Sequence, residues 1–555
     1  MTVSTGEPLA ASRVERPGGR WLIEATALAA ALAVFLVSVL PNLSNHPAIT
    51  DDEVWVLSAS YKLVEDGVFG ADMFAGFYNA DSHYLFNMPG HHFVLAAAFK
   101  VLGAGILQAR LVGVAYGVAV LLLTYLLGRR LYGAGVALLS VGLLLFLRLN
   151  MGFDTGLPLQ ELAASIRYDL APVPFALGGV LLLLGPPSIG RAALAGALFG
   201  AAALLQFYGA FLIPVALAFL ALDALPTRLK LRLGGALVGA AVAVGLPYAG
   251  YTLANYTDFK GQAGTVESRA DLLSPTFYVD SVLHEAKRFT RPLGFREVPR
   301  GENPRLVDPR FLSFREMMTR RPSAKLAVLV GLPLAIAFAG RRAWRERSRG
   351  DRLLVLCLVG LPVQFALFES LKLYIYWILV VPFLCIGIAA VALQLLRRAR
   401  DDRLRLALAA VTAVCLLGVF AEGSVARVSG LRTASKESSY DALGVALHGY
   451  VASGSRVVGS TSLWWGLRDT DYRSYFLFFY LTGPDAGPYR ETIPEFLGRF
   501  DAEFLVLTRF GEEELEKRLA LKDRAELDRY LAEHGEKLVR LESASYGYID
   551  LWRLR

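Results

Sequence analysis

Cysteine and histidine are both scarce in this sequence of 555 residues, with three and seven copies. The cysteines, Cys357, Cys385 and Cys415, each lie inside an apolar run, so we expect neither disulfide bonds nor a zinc site. The histidines are scattered without metal-ligand spacing, which argues against a fixed transition-metal centre. The sequence also lacks a glycine-rich phosphate loop, so it offers no motif for binding a soluble nucleotide.

Charge is low as well. Only 19% of the residues are charged and 55% are hydrophobic, whereas about a quarter of the residues of soluble proteins are charged. The apolar residues occur in runs of roughly 15 to 22 separated by short charged stretches, which is typical of bilayer-spanning helices. The net charge of +8 does not indicate nucleic-acid binding, because most of the excess arginine lies beside apolar runs and orients them in the membrane.

Eleven apolar runs are predicted to cross the cell membrane, starting from a cytoplasmic N-terminus. In this topology, every arginine cluster at the inner end of a span lies on the cytoplasmic side, as the positive-inside rule requires. We interpret Gly90–Leu107 as a helix lying in the membrane interface, because counting it as a span would put the later arginine clusters outside. The predicted spans are about 21–40, 110–128, 134–148, 171–185, 192–206, 209–222, 233–250, 324–340, 353–368, 374–394 and 406–421.

The predicted fold is therefore a polytopic α-helical membrane domain, 1–421, followed by a soluble extracytoplasmic domain, 422–555. The membrane domain has a first outer loop at 41–109 and a long outer loop at 251–323. The second domain, which we call the tail domain, is predicted to be a small α/β unit. Its predicted elements are strands at Ser455–Ser460 and Ala502–Thr508, a charged helix or helix pair at Gly511–His534, and a hairpin of Lys537–Glu542 and Gly547–Arg553.

Three consecutive carboxylates, Asp51, Asp52 and Glu53, follow Thr50 at the start of the first outer helix. Thr50 and Glu53 fit a capping box, and acids favour a helix N-terminus, so capping alone is one interpretation. Three carboxylates at a membrane surface exceed what capping needs, so we also predict a general base or a cation site here.

A second acidic motif is Arg167-Tyr168-Asp169, just before the fourth span. Asp169 could simply cap that span, and Arg167 could pair with it. The functional interpretation is that Asp52 and Asp169 converge, because the topology places both at the same membrane face.

A cationic motif lies between the ninth and tenth spans, at Lys372-Leu373-Tyr374-Ile375-Tyr376. A snorkelling lysine in an aromatic belt would explain it. The alternative is a cation held at headgroup depth for a lipid phosphate. The long outer loop adds a further cluster that suits a phosphate, consisting of Lys287, Arg288, Arg291, Arg296, Arg300 and Arg305.

In their order and topological side, these motifs resemble the GT-C glycosyltransferases, in particular the family 39-like group of protein mannosyltransferases and aminoarabinose transferases. That group has an Asp-Glu pair opening a helix in the first outer loop, here Asp52-Glu53. The other matching segments are Met88-Pro89-Gly90-His91-His92-Phe93, Gly128-Arg129-Arg130-Leu131-Tyr132-Gly133, Arg167-Tyr168-Asp169 and the Lys-x-Tyr-x-Tyr segment from Lys372. The resemblance covers roughly residues 20–400, and Gln206-Phe207-Tyr208-Gly209 departs from the group's usual Thr-Lys turn.

The resemblance implies an inverting transfer of a sugar from a polyprenyl-phosphate-linked donor to an unknown lipid, glycan or protein acceptor outside the cytoplasm. Asp52 would be the general base, while Glu53 and Asp169 would orient the acceptor or, together with Asp52, hold a divalent cation. No other cofactor is implied. The residues predicted to bind the substrate or lipid phosphate are Lys372, Tyr374, Tyr376, Arg167, His91, His92 and Arg288.

A transporter or flippase for a lipid-linked glycan is the alternative function. Such a protein would carry ionisable residues near mid-membrane, and the predicted spans have almost none. A third reading, a membrane scaffold, would not need carboxylates gathered at one membrane face. The tail domain is predicted to contribute to acceptor selection through Trp464, Trp465 and Tyr472, unless these aromatics form its core or its dock onto the membrane domain.

Overall fold

The computed structural model describes residues 20–149, 155–264, 274–289, 296–300, 303–310, 322–397 and 403–555. Part of the predicted arginine cluster of the long outer loop is not covered. Arg291 lies outside the described residues, and so do the side chains of Arg296, Arg300 and Arg305.

The first half of the described chain is helical from residue 20 onward. The predicted apolar runs form α-helices, several of them separated by glycines or prolines, and shorter helices lie in the predicted loops. They are α1 (Arg20–Val39), α2 (Asp51–Glu65), α3 (Gly90–Leu102), α4 (Ile106–Tyr132), α5 (Ala134–Phe146), α6 (Pro158–Ala163), α7 (Pro172–Leu183), α8 (Ile189–Leu205), α9 (Leu212–Leu222), α10 (Thr227–Ala254), α11 (Tyr256–Gly264) and α12 (Pro275–Leu283).

The second half contains further helices and all seven described strands. The helices are α13 (Pro322–Leu329), α14 (Gly331–Arg345), α15 (Arg349–Phe368), α16 (Val381–Arg397), α17 (Arg403–Ala434), α18 (Tyr440–His448), α19 (Phe476–Thr482), α20 (Ile493–Phe500), α21 (Arg509–Arg518) and α22 (Leu521–His534). The strands are β1 (Arg296–Arg300), β2 (Asn303–Arg310), β3 (Arg456–Gly459), β4 (Asp471–Ser474), β5 (Phe504–Thr508), β6 (Gly535–Ser543) and β7 (Gly547–Leu554).

Each of the eleven predicted spans falls on a helix. Six helical segments are long and apolar enough to cross a membrane, and the other five predicted spans coincide with shorter apolar helices. Together they make the chain a polytopic α-helical membrane protein. The six long segments are Trp21–Val39, Ile106–Tyr132, Thr227–Ala254, Pro322–Arg345, Arg349–Phe368 and Arg403–Ala434.

The apolar stretch after residue 90 forms a separate helix, α3, that is too short to span a bilayer. It ends at Leu102 rather than Leu107, because Gly103 adopts a positive φ of 84°, which a glycine tolerates without strain. The chain then re-enters a helix at Ile106, the start of α4.

The last spanning helix, α17, was predicted to end at 421 but runs on to Ala434. Its extra turns carry charged residues, so the hydropathy pattern predicted a soluble segment after residue 421. They stay helical because they pack against the ends of α1 and α5. Arg427 lies 4.6 Å from the Phe146 ring and donates to the Leu145 carbonyl at 2.6 Å.

The tail domain contains a five-stranded mixed sheet of order β4-β3-β5-β7-β6. Strand β3 is parallel to both β4 and β5, whereas β7 is antiparallel to β5 and β6. The predicted strands, helix pair and closing hairpin are confirmed. Strand β4 was missed because its sequence, Asp-Tyr-Arg-Ser, has only one apolar residue.

The tail domain is docked on the membrane domain through aromatic side chains. Tyr61 of α2 packs edge-to-face on Trp465, with the ring centroids 5.5 Å apart, and also contacts Trp464. Trp55 packs in the same way on Phe476, at 5.3 Å. Trp464 and Trp465 are thus buried at the dock. These contacts agree with the alternative interpretation, in which the two tryptophans dock the tail domain onto the membrane domain.

Candidate active site

The three carboxylates of the first turn of α2 point in different directions. Successive residues of an α-helix are rotated by about 100°, so three in a row fan out around the axis. The Thr50 N–H donates to Glu53 Oε1 at 3.3 Å, as in a capping box. Each of the three carboxylates then contacts a different part of the protein.

Asp51 faces the tail domain and is buried there. Its Oδ1 accepts the Ser462 N–H at 2.8 Å, and its Oδ2 accepts the Tyr475 hydroxyl at 3.0 Å. Burial raises the pKa of Asp51 to about 6, although the two hydrogen bonds oppose the rise. The carboxylate therefore belongs to the contact between the two domains.

Glu53 points into the protein and forms an ion pair with Arg110 of α4. Its Oε2 lies 3.1 Å from Arg110 Nη2 and 3.2 Å from Arg110 Nε, and both side chains are almost completely buried. Glu53 Oε2 also accepts the Ile166 N–H at 2.9 Å. The structure thus does not place Glu53 beside Asp52 in an open site but uses it to join α2, α4 and the loop before Arg167.

Asp52 points towards solvent and meets Arg167. Its side chain is 61% exposed, and its Oδ2 contacts Arg167 Nη1. Arg167 Nε in turn donates to Asp169 Oδ2 at 2.7 Å. The predicted convergence of Asp52 and Asp169 is therefore present, with the guanidinium of Arg167 between the two carboxylates.

Asp169 does not cap the following helix, since the N-cap of α7 is Ala171 and it makes no side-chain cap. Its carboxylate is buried, and Asp169 Oδ1 has no hydrogen-bond partner among the described residues. A buried carboxylate oxygen without a donor is costly. It therefore marks a place where a hydroxyl or another donor from a substrate would be stabilised.

The two histidines of α3 contact two different segments, His91 the loop before Arg167 and His92 the helix α2. His91 Nε2 lies 2.9 Å from the Ile166 carbonyl, so both backbone groups of Ile166 are anchored, one by His91 and one by Glu53. His92 Nδ1 lies 3.1 Å from the Val56 carbonyl. Burial lowers the pKa of His91 to about 4 and that of His92 to about 3, so both rings are neutral at pH 7. Neutral buried rings do not fit the predicted role of binding a phosphate.

Lys372 belongs to a second group of charges, buried between the spans and the long loop. Its Nζ lies 3.0 Å from Glu285 Oε2 and 2.8 Å from Ser281 Oγ. Arg288 lies 2.6 Å from both Glu285 Oε1 and Glu369 Oε2. The negative charges of Glu285 and Glu369 thus neutralise the positive charges of Arg288 and Lys372. The Lys372 ammonium contacts Glu285 rather than Asp52 or Asp169.

The aromatic residues after Lys372 separate into two environments. Tyr374 is buried, with its ring stacked near Trp377 at a centroid distance of 5.8 Å. Tyr376 packs on Tyr208, with the ring centroids 4.7 Å apart. The Lys-x-Tyr-x-Tyr segment therefore contacts the Gln-Phe-Tyr-Gly turn through Tyr376 and Tyr208.

The described residues contain no group of three His, Cys, Asp or Glu side chains that could hold a metal ion. The predicted three-carboxylate cation site is not assembled, because Arg110 draws Glu53 away. Arg167 already supplies a positive charge between Asp52 and Asp169. The arrangement fits a guanidinium between two carboxylates better than a divalent cation.

No family model and no curated protein matches this sequence. Solved structures do match its fold. ArnT from Cupriavidus metallidurans, in its apo state, is 16% identical, with 96% of this chain and 97% of ArnT covered and a TM-score of 0.59. The oligosaccharyltransferase of Archaeoglobus fulgidus, also in its apo form, is 11% identical, with 90% and 70% covered and a TM-score of 0.59. At these identities the likeness shows a shared fold.

Proposed function

We propose that this chain, which has the GT-C glycosyltransferase fold, transfers a sugar from a polyprenyl-phosphate-linked donor to an acceptor hydroxyl. The reaction would invert the sugar's configuration, with Asp52 as the general base. The observation that carries the proposal is the Asp52–Arg167–Asp169 arrangement at one end of the helical bundle.

The nature of the donor is supported by the solved structures that share the fold. One is ArnT from Cupriavidus metallidurans bound to undecaprenyl phosphate. Another is the oligosaccharyltransferase AglB from Archaeoglobus fulgidus with dolichol phosphate and an inhibitory peptide. Both ligands are polyprenyl phosphates, so a lipid-linked sugar is the donor class that we assign to this chain.

Asp52 has the geometry that a general base needs. Its carboxylate is exposed to an incoming acceptor, and Arg167 fixes one of its oxygens. As the acceptor oxygen attacks the anomeric carbon, Asp52 would take its proton and the bond to the lipid phosphate would break on the opposite side of the sugar. A positioned base contributes typically about 10²–10⁴-fold to such a step.

Asp169 would bind a substrate group rather than react with it. Asp169 Oδ1, which lacks a donor in the described structure, would accept a hydrogen bond from a hydroxyl of the acceptor or the sugar.

Lys372 could bind the departing phosphate only if that phosphate replaced Glu285 as the partner of the ammonium. We therefore assign Lys372 a phosphate-binding role only in the donor-bound state.

The arginine asymmetry of the sequence supports an orientation in which this site and the tail domain face the extracytoplasmic side. The acceptor would then be a component outside the cytoplasm. A strain that lacks this protein should accumulate the unused polyprenyl-phosphate sugar. Lipid mass spectrometry of that strain would identify the donor directly.

The test of the base is Asp52→Asn, with Asp72→Asn as a matched control. Asp72 is an aspartate of similar exposure, 58%, that pairs with the single cation Lys62. We expect Asp52→Asn to lower turnover at least about a hundredfold with donor binding unchanged, and Asp72→Asn to have little effect. Near-native turnover of Asp52→Asn would remove Asp52 as the base.

A further inference from the structure

Asp51 is the carboxylate that the Asp-Glu motif leaves out, yet both of its oxygens contact the tail domain. Its two oxygens each accept one hydrogen bond, and both donors come from residues more than 400 positions later in the chain. Helix N-terminal acids normally stay in solvent, where the helix dipole alone favours them. A buried position with two dedicated donors therefore requires another explanation.

Both donors are rigidly held within the tail domain. The carbonyl of Ser462 accepts the Tyr440 hydroxyl at 2.6 Å, in a short 3-10 helix, Thr461–Leu467, that packs on α18. Tyr475 directly precedes α19 and is completely buried. The tail domain thus presents two fixed donors to one carboxylate.

Asp52 lies between two anchored neighbours. On one side, Glu53 is fixed by Arg110 and by the Ile166 N–H. On the other side, Asp51 is fixed by Ser462 and Tyr475. The direction of the Asp52 side chain depends on the backbone of this turn, so both anchors set where its carboxylate points.

We propose that Asp51 is a positioning residue through which the docked tail domain holds Asp52 in its reactive orientation. The inference rests on the proposed function. It means that the active site is complete only while the tail domain is docked. A displacement of about 1 Å at a reacting group can lower a rate by about 10²-fold, so losing this anchor has a measurable effect.

The experiment measures kcat and the donor KM for Asp51→Ala and for the conservative variant Asp51→Asn. We expect Asp51→Ala to lower kcat about tenfold with the donor KM within about twofold. Asn keeps an oxygen for the Ser462 N–H and a group that can pair with the Tyr475 hydroxyl. Asp51→Asn should therefore restore kcat to within about threefold of the parent.

A double-mutant cycle with Asp52→Asn separates positioning from general damage. If Asp51 acts through Asp52, adding Asp51→Ala to Asp52→Asn should lower kcat no further. Equal losses in both backgrounds would overturn the inference. Full turnover of Asp52→Asn alone would instead refute the proposed function, whereas an inactive Asp52→Asn beside a fully active Asp51→Ala would refute only this inference.

Should Asp51→Ala fail to fold, Tyr475→Phe tests the same contact by removing one hydroxyl. Its matched control is Tyr546→Phe, which removes a tail-domain hydroxyl that accepts the Ile49 N–H at 3.0 Å, whereas the hydrogen bonds of Asp51 come from Ser462 and Tyr475. We expect kcat to fall about threefold for Tyr475→Phe and to stay within about 1.5-fold for Tyr546→Phe. Equal values for the two variants would overturn the inference.

Discussion

Glu53 offers the sharpest test, because the motif and the structure assign it different roles. The Asp-Glu motif predicts that Glu53 works with Asp52 on the substrate. The structure instead buries it against Arg110, with exposed side-chain fractions of 1% and 0%, and adds the Ile166 N–H as a third contact. We therefore expect Glu53→Gln to affect stability first and turnover only through it.

The size of the effect follows from the burial of the pair. Glu53→Gln retains one oxygen, which can still accept the Ile166 N–H, but it leaves the buried Arg110 guanidinium without a negative partner. The Leu43 carbonyl, at 2.9 Å from Nη1, then offers Arg110 only a neutral acceptor. Breaking a buried ion pair from one side typically costs about 3–5 kcal/mol. Replacing both members, as in Glu53→Gln with Arg110→Met, should recover part of that loss.

Thermal unfolding in detergent, combined with turnover per folded molecule, measures both quantities. The expected result is a clear fall in melting temperature for Glu53→Gln and for Arg110→Met, a smaller fall for the double variant than the sum, and near-parental turnover for the folded fraction. A Glu53→Gln protein that melts like the parent but is inactive would refute the structural role and return Glu53 to the catalytic group.

Three further outcomes are expected. Burial raises the pKa of Asp51 to about 6 from its usual value near 4, so the docked state binds a proton more readily than the undocked state. The free energy of docking should weaken by on the order of 3 kcal/mol as the pH rises from about 4 to about 6, and stay constant above that range. Asp51→Asn should abolish this pH dependence in thermal melts. Lys372→Met should destabilise the protein and Glu285→Gln should rescue it, whereas a stable Lys372→Met that no longer binds donor would favour the phosphate role. Single cysteines at Ser82 and Ser453 should react with an impermeant thiol reagent in intact cells, and labelling only after permeabilisation would contradict the proposed orientation.

The spans and the elements of the tail domain could be predicted because they depend on local patterns. Runs of apolar residues of bilayer length must be helical in lipid, since each backbone group needs an internal partner. Strand β5 is an apolar run of four residues ending in a threonine, β3 has two adjacent valines, and Gly103 ends α3 by its own conformation. The end of α17 was missed because its last turns carry polar residues and are held by tertiary contacts, among them those of Arg427 with α1 and α5.

The candidate site was predicted in its residues but not in their roles. The sequence by itself determined that three carboxylates open α2 and that Asp169 lies at the same end of the bundle. Only the tertiary structure decided that Asp51 contacts a domain 411 positions away, that Asp52 meets Arg167, and that Glu53 is neutralised by Arg110. The physical reason is that helical spacing fixes the angle between successive side chains, whereas the partner that each one meets depends on which distant segments pack around the helix.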